Sequence, residues 1–558
     1  MDENVLKQIF NSRCFKNWLL VRRWFRDKSS LSELNFTVNI LYFKVIFKNT
    51  ILSVIKINKS GYTKSYFLPL IYFEDILDIL EKYERKKGNI IKLKENTLVC
   101  LDEENSSFTL NLIEAEYCLF FWKNLFFNKN TLQALSVNSL ELKKYSDEII
   151  DKNALNKIQI LKEAGLFPHR YKYKLMQMGG GDTTNLLFQL ELVNRNNKNI
   201  MLYVLKSYKE FSKNIEPYKL SLLMKNKFMN APKLYNTVSI LKNDIIGVME
   251  NIPNSGTLGE IYWKELNLAV VKNHKKIKKL LYKSADINTK NQLINLYCKI
   301  SNQISKEIGF CINYLHKSLI DKDKKNQGQE TVEAKEYLNK YTKKINLIIL
   351  KLQDYFNKNN NDSYNLLTFT NLLEKTKEIV NKLYSDLNKA EINIQPIHQD
   401  LHAGQVLYNK IKSKYIFYFT DFEGDPQFNI KEKEGKYPAE KDYASFLRSL
   451  SYIKFNTILK LINRKIIKNS TDKASRELLY SFYFKNTKNN TLKIIFQFAD
   501  YWENNITLKI VNDFDLNKKL IKYFTIERIL RELTYEFLFR PDNIIVPILG
   551  LKEITEIK

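Results

Sequence analysis

Cysteine is scarce in this chain of 558 residues. The five present, Cys14, Cys100, Cys118, Cys298 and Cys311, are scattered, odd in number and without metal-ligand spacing. That pattern argues against a disulfide framework or a cysteine-built metal centre and leaves reduced core thiols. Long apolar runs are also missing, none approaching the roughly 18 residues of a membrane span. The opening Met1-Asp2-Glu3-Asn4 lacks the basic-then-apolar order of a signal peptide. A soluble, cytoplasmic protein with no membrane partner is expected. There is no internal repeat and no low-complexity domain. Glycine is sparse, and three of the 15 fall together at Gly179, Gly180 and Gly181.

Apolar residues make up 44% of the chain, with 34 Phe and 33 Tyr, ample for several cores, and the length exceeds what one core supports. Three units are expected. Residues 1 to about 115, with alternating runs such as Thr50-Ile51-Leu52-Ser53-Val54-Ile55, read as a β-rich cap. Residues 116 to 255 read as helices followed by a nucleotide-binding sheet. From 256 to 558 helical periodicity dominates, interrupted by one loop and one strand that carry the chemistry. The formal net charge of +28 raises a different class of function, a basic scaffold for nucleic acid. The 89 basic residues are, however, interleaved with 61 acidic ones throughout, which reads as compositional bias and not as a binding stripe. No nucleic-acid partner is expected.

Two segments between His398 and Pro426 carry the strongest signal. His398-Gln399-Asp400-Leu401-His402-Ala403-Gly404-Gln405 is followed by the aromatic, β-prone run Tyr415 to Thr420 and then by Asp421-Phe422-Glu423-Gly424-Asp425-Pro426. Phosphoryl transfer needs few protein groups: a carboxylate in a loop to take the acceptor proton, an amide a few residues on at the metal, and a second carboxylate after a strand. Asp400, Gln405 and Asp421 match those roles. Read singly, His398 is equally a core histidine and Asp400 a helix cap; the pair of segments together favours phosphoryl transfer.

A nucleotide cradle is expected upstream. Leu175 to Met178 runs into Gly179-Gly180-Gly181-Asp182-Thr183-Thr184-Asn185 and then into Leu186 to Leu192, giving strand, glycine turn, strand. Backbone without Cβ atoms can approach phosphates closely, although a plain hairpin would look the same. The next strand ends in Lys206, placed either to hold α- and β-phosphates or simply as a solvated strand-end lysine. Glu216 is a candidate partner for Lys206, with helix entry before Pro217 as its alternative role. The run Asp244 to Ile252 reads as a further strand leading to a hinge at Pro253-Asn254-Ser255-Gly256, with backbone groups of Glu250 and Ile252 at an adenine edge.

These residues resemble the maltokinase and glucosamine-kinase branch of the aminoglycoside-phosphotransferase-like kinases. The catalytic segment is similar to HGDLHxGQ, with Gln399 where glycine is usual, and Asp421 to Pro426 is similar to DFEGxP. Arg22-Arg23-Trp24-Phe25-Arg26-Asp27-Lys28 resembles the RRWFxGK run of the maltokinase cap, with Asp27 in place of glycine. Tyr437 to Ser449 resembles a segment with an RDxAxxxRS pattern, and Tyr535 to Asp542 a closing YExxxRPD. The resemblance implies an α+β, two-lobed protein-kinase-like fold with an N-terminal cap, and an enzyme using ATP and Mg2+ to phosphorylate a sugar. The expected acceptor is maltose, giving maltose 1-phosphate, with glucosamine or another small sugar or aminoglycoside as the alternative. Glu423, Asp442 and Arg448 are expected at the sugar hydroxyls, with a helix-surface pair as the alternative for the last two. His402 is counted on the acceptor side as loop support and not as a proton carrier. A monomer or homodimer is expected, with association to other glycan- or trehalose-pathway enzymes open. If the helix glutamate of the family falls at Tyr218 instead of Glu216, the lysine clamp is altered. The stretch from Asn273 to Asn326 and the lysine-rich helices after it make a longer insertion than the family pattern leads one to expect.

Overall fold

A computed structural model describes residues 3–25, 31, 34–47, 49–73, 97–101, 109–127, 140–144, 171–179, 185–194, 199–321, 328–358, 366–467 and 472–556. The chain is an α+β protein of two units, one β-rich and one mainly helical. The first unit comprises Met1–Met224 and Pro232–Ile252; the second comprises Lys225–Ala231 and Pro253–Lys558.

The first unit holds two antiparallel sheets. In the N-terminal sheet, β1 (Thr37–Phe47), β2 (Thr50–Lys59), β3 (Tyr62–Phe67), β4 (Leu70–Phe73), β5 (Thr97–Leu101) and β6 (Thr109–Glu114) are ordered β1-β2-β4-β6-β5, with β3 also on β2. Their β-branched and aromatic content suits a pleated, half-buried surface. The edge strand β1 is tied to helix α1 (Glu3–Asn11): the Asn11 amide donates to the Val38 carbonyl at 2.8 Å and accepts from its N–H at 2.9 Å. Helix α2 (Arg13–Leu20) starts on Ser12, whose hydroxyl accepts from the Phe15 N–H at 3.2 Å. The second sheet is ordered β7 (Leu140–Lys144), β11 (Leu234–Ile240), β12 (Asn243–Glu250), β10 (Asn199–Ser207), β9 (Leu186–Asn194) and β8 (Tyr171–Met178).

One apolar core runs from Phe10, Phe15 and Phe67 of the cap through Tyr117 and Trp122 to Phe188, Leu205 and Ile246 of the second sheet. Burial of each such aromatic stabilises by about 1.5–3 kcal/mol. Helix α3 (Leu119–Phe127) sits in this core, and the Trp122 indole donates to the Glu116 carbonyl at 2.7 Å. Trp24 and Phe25 are buried in it as well. Beside them Lys209, just past β10, is fully buried, with Nζ 2.7 Å from Glu116, 3.6 Å from Glu114 and 4.6 Å from the Trp24 ring. The Trp24 indole donates to Glu114 at 2.6 Å. The aromatic-basic cluster is therefore a local core with matched charges; its Arg26, Asp27 and Lys28 lie outside the described residues.

The second unit contains α5 (Leu258–Asn267), α6 (Lys299–Ser318), α7 (Ala334–Lys358), α8 (Leu366–Leu387), α9 (Glu440–Leu461), α10 (Asn490–Val511), α11 (Lys518–Phe539) and α12 (Ile545–Glu556), after α4 (Glu216–Lys225) of the first unit. Two antiparallel pairs interrupt them, β13 (Glu330–Glu333) with β14 (Glu391–Ile394), and β15 (Val406–Ile411) with β16 (Lys414–Phe419). Helices α7, α8, α11 and α12 share one core through Leu338, Leu373, Leu530 and Ile548. The ribbon β15–β16 is anchored by Asn230, whose carbonyl accepts from the Phe419 N–H at 2.8 Å and whose amide donates to the Phe417 carbonyl at 2.7 Å. No helix of the described residues is long and apolar enough to cross a membrane. Cys118 and Cys298 are buried thiols, while Cys14 is exposed.

Candidate active site

The loop from His398 to Gln405 is held from beneath by Asp442 near the start of α9. Its two oxygens accept from the His398 N–H and the Gln399 N–H, each at 2.8 Å, and from Nε2 of His316 on α6 at 3.0 Å. Burial alone would push this carboxyl up, but the His316 hydrogen bond, the neighbouring histidines and the His398 amide outweigh it and hold Asp442 below the usual carboxylate range. These bonds fix a strained turn. Gln399 has φ 78°, in the left-handed region that favours glycine, and its side-chain amide donates to the Lys433 carbonyl at 2.7 Å. The replacement of glycine noted in the sequence is thus compensated by two sets of hydrogen bonds.

The loop is also stitched to the strand that follows it. The His398 ring donates from Nε2 to the Thr420 carbonyl at 3.0 Å and packs 4.8 Å from the Phe422 ring. His402 accepts at Nδ1 from the Gly404 N–H at 3.1 Å and so caps the short 3-10 turn Ala403–Gln405. Burial holds its pKa down, which suits a neutral cap. The Gln405 carbonyl accepts both from the Thr420 N–H (2.9 Å) and from its hydroxyl (3.0 Å). The Gln405 side-chain amide donates to Asp421 at 2.8 Å, and Asp421 itself has φ 64°. With Nε2 donating to Asp421, Gln405 keeps its amide Oε1 as a neutral oxygen beside the carboxylate oxygens of Asp421 in its donor set. This all-oxygen donor pair fits a hard divalent cation such as magnesium.

Asp400 has a partner that the sequence did not reveal. Its Oδ1 accepts from Nη1 of Arg528 on α11 at 2.8 Å. Arg528 also reaches Asp425 and Glu532, each at 3.3 Å. Asp425 is shared with Arg531, which pairs with Glu527 at 3.1 Å, and Glu527 in turn accepts from the buried Lys441 at 2.7 Å. The only sequence signal is the i, i+4 spacing of Glu527 with Arg531 and Arg528 with Glu532, which looks like an ordinary solvated helix face. Burial by itself would raise the Asp425 carboxyl; Arg531 and Arg528 outweigh it and bring it down to about 2. A depressed carboxylate contributes stability above its unfolded value of about 4 and loses it as pH falls towards 2, on the order of 2 kcal/mol. Urea unfolding between pH 5 and 2 should therefore show a steep acid limb in the native chain and a shallower one in Asp425→Asn. Parallel limbs would contradict the ladder.

Two residues expected at the acceptor, Asp442 and Arg448, are buried. Asp442 is 0% exposed and spends its oxygens on the loop. Arg448 is buried under Gly550, donating to Glu532 at 2.8 Å and to Ser451 at 2.8 Å; neither belongs to a helix-surface pair. Burial at the packed end of α9, which periodicity alone does not reveal, explains both. Glu423 is half-buried just past β16.

In the first unit, Lys206 at the end of β10 lies 2.8 Å from Glu216 at the start of α4, with side chains 5% and 2% exposed. Glu216 also accepts from the Tyr208 hydroxyl at 2.9 Å. Glu216, and not Tyr218, is the partner of Lys206. Pro217 follows it in the first helical turn, where the missing N–H costs nothing. Lys206 pairs across the sheet with Gly247 of β12. Gly179 turns with φ 74° after β8, whereas Gly180, Gly181, Thr183 and Thr184 lie outside the described residues. Asn185 is buried, its Oδ1 accepting from the Lys209 N–H at 3.1 Å. The Glu250 N–H donates to the Lys233 carbonyl at 2.8 Å, and Ile252 is buried at the end of the unit.

No protein-family model matches the sequence, and no curated protein matches it. Among solved structures, a glucosamine kinase in complex with glucosamine, ADP and inorganic phosphate aligns over 93% of this chain and 93% of its own, at 11% identity and a TM-score of 0.47. A further crystal form of glucosamine kinase aligns over 93% and 94%, at 11% identity and a TM-score of 0.48. An ethanolamine kinase of Plasmodium vivax aligns over 73% and 89%, at 12% identity and a TM-score of 0.27.

Proposed function

We propose that the protein is an ATP-dependent phosphotransferase acting on a hydroxyl of a small sugar, with maltose, phosphorylated at its anomeric hydroxyl, as the first candidate and glucosamine as the second. The observation that carries this reading is the Gln405–Asp421 contact of 2.8 Å beside an aspartate loop fixed by Asp442, with a buried Lys206–Glu216 pair in the other unit. Phosphoryl transfer asks the protein for positioning and charge neutralisation above all.

Gln405 and Asp421 would hold magnesium, which would neutralise phosphate charge. Asp400 orients the acceptor hydroxyl and takes its proton; Arg528 engages Oδ1, and Oδ2 is the oxygen that receives it. Glu216 fixes the Lys206 ammonium for the α- and β-phosphates. The turn from Gly179 to Asn185 is the phosphate cradle in this reading, and the backbone of Glu250 and Ile252 takes the adenine edge. Glu423 remains the acceptor-side carboxylate, while Asp442, His402 and Arg448 act by holding the loop and helix in place.

The test has two arms. Calorimetry should give ATP binding that strengthens with magnesium in the native chain and is magnesium-independent in Asp421→Ala, because one neutral amide does not hold the ion against its hydration. Equal ATP affinity with and without magnesium in the native chain would contradict the metal site. ADP release should then be followed with maltose, glucosamine, glucose and an aminoglycoside. Turnover of none, together with structure-selective nucleic-acid binding at physiological salt, would favour a basic scaffold.

A further inference from the structure

Eight charged groups of the described residues are linked around Asp400. Asp400, Asp425, Glu527 and Glu532 are four carboxylates; Arg528, Arg531, Lys441 and Arg448 are four cations, and each carboxylate is paired within the set. The chain runs Lys441, Glu527, Arg531, Asp425, Arg528, Asp400 in alternating sign, from the buried Lys441 to the partly exposed Asp400 and Arg528. Its outermost cation therefore stands directly against the carboxylate that meets the acceptor.

We infer that Arg528 is a positioning and specificity-determining residue that makes this an acceptor site for neutral polyols and disfavours acceptors bearing an ammonium group. The inference rests on the phosphotransferase reading above and adds the acceptor's charge class. An ammonium entering beside Asp400 would meet the Arg528 guanidinium at contact distance and would have to share the Asp400 carboxylate with it. Two like charges at one carboxylate repel, which disfavours the ammonium. A neutral hydroxyl chain meets no such penalty, since guanidinium N–H groups and carboxylate oxygens hydrogen-bond to hydroxyls with no change in net charge. Selection by an element that repels the wrong partner is a common route to specificity. Arg528 also carries a geometric role: Asp425 and Glu532 brace its guanidinium, so that its hold on Oδ1 fixes the rotation of the Asp400 carboxylate.

The experiment compares kcat/KM of the full chain, with ATP and magnesium, for glucose against glucosamine and for maltose against its 2-amino-2-deoxy analogue at pH 6.5, where the amines are protonated. The neutral member of each turned-over pair should be favoured by about tenfold or more, the effect of a like-charge contact. Arg528→Gln should lower kcat and bring the ratio towards unity, because Asp400 becomes available to an ammonium. Arg528→Lys, which keeps the positive charge, should retain the preference while raising KM, a split that a purely structural arginine would not produce. Preference for the amine in the native chain, or a ratio unmoved by Arg528→Gln, would overturn the inference and leave the phosphotransferase reading standing. Turnover of none of the four sugars would overturn that reading and the inference with it. Should Arg528→Gln fail to fold, loss of the preference in a folded Arg528→Lys overturns the inference.

Discussion

Asp400→Asn should lower turnover by about 10²-fold or more while leaving ATP affinity close to native, the loss typical of a positioned general base. Asparagine keeps the shape, and its amide oxygen can still accept from Arg528 as Oδ1 does now at 2.8 Å. The loop is pinned by other groups: Asp442 holds His398 and Gln399, His398 reaches the Thr420 carbonyl, and His402 caps the turn. A fall confined to kcat, with an unchanged melting temperature and unchanged calorimetry for ATP, is the expected result. Native turnover in this variant would remove Asp400 from the chemistry.

The largest effect on stability is expected at Lys454, on α9. Its Nζ is fully buried and lies 2.9 Å from Asp500 and 2.7 Å from Glu503, both on α10, and in contact with Glu553 on α12. One ammonium thus clamps three helices of the second unit. Lys454→Met fills similar volume but leaves three carboxylates facing one another, which should cost about 3 kcal/mol, the lower end of the range for breaking a buried ion pair. The lower end applies because Asp500 is 41% exposed and can turn towards water. The deficit should grow with pH. Burial and Glu503 already push the Glu553 carboxyl up to about 7, so the folded state favours the proton, and the stability this contributes is lost as pH rises through that value. Urea unfolding of Lys454→Met should show a smaller deficit at pH 5 than at pH 8, and a flat profile would contradict the clamp. The three oxygens lie within 4.8 Å of one another, so once the ammonium is gone, millimolar calcium should recover part of the loss.

Periodicity and composition were enough to read the fold class and the order of its elements. The alternation around Thr50 to Lys59 became a strand, the aromatic run before Asp421 became β16, and helices dominate after residue 256. These are local properties, set by which face of a short segment is apolar. The contact of Gln405 with Asp421 was legible for a related reason: loop, hairpin and strand end follow one another directly, so chain connectivity alone brings the two close. The shared core was not legible, because it depends on which faces meet, and nothing local in residues 1–127 states that Phe67 and Trp122 join Phe188.

The sequence by itself determined a mixed α+β chain, a loop carrying Asp400, His402 and Gln405 ahead of a strand that ends at Asp421, and a lysine at the end of a strand one hairpin past a glycine turn. Only the tertiary structure decided that Glu216 is the partner of Lys206, that Asp442 and Arg448 are buried supports, and that Arg528 stands against Asp400. The physical reason is distance along the chain. Asp442 is 43 residues from Gln399 and Arg528 is 128 from Asp400, and such pairings are set by helix packing in three dimensions. A buried charge also looks the same in sequence as a solvated one, and its partner becomes visible only when the helices are in place.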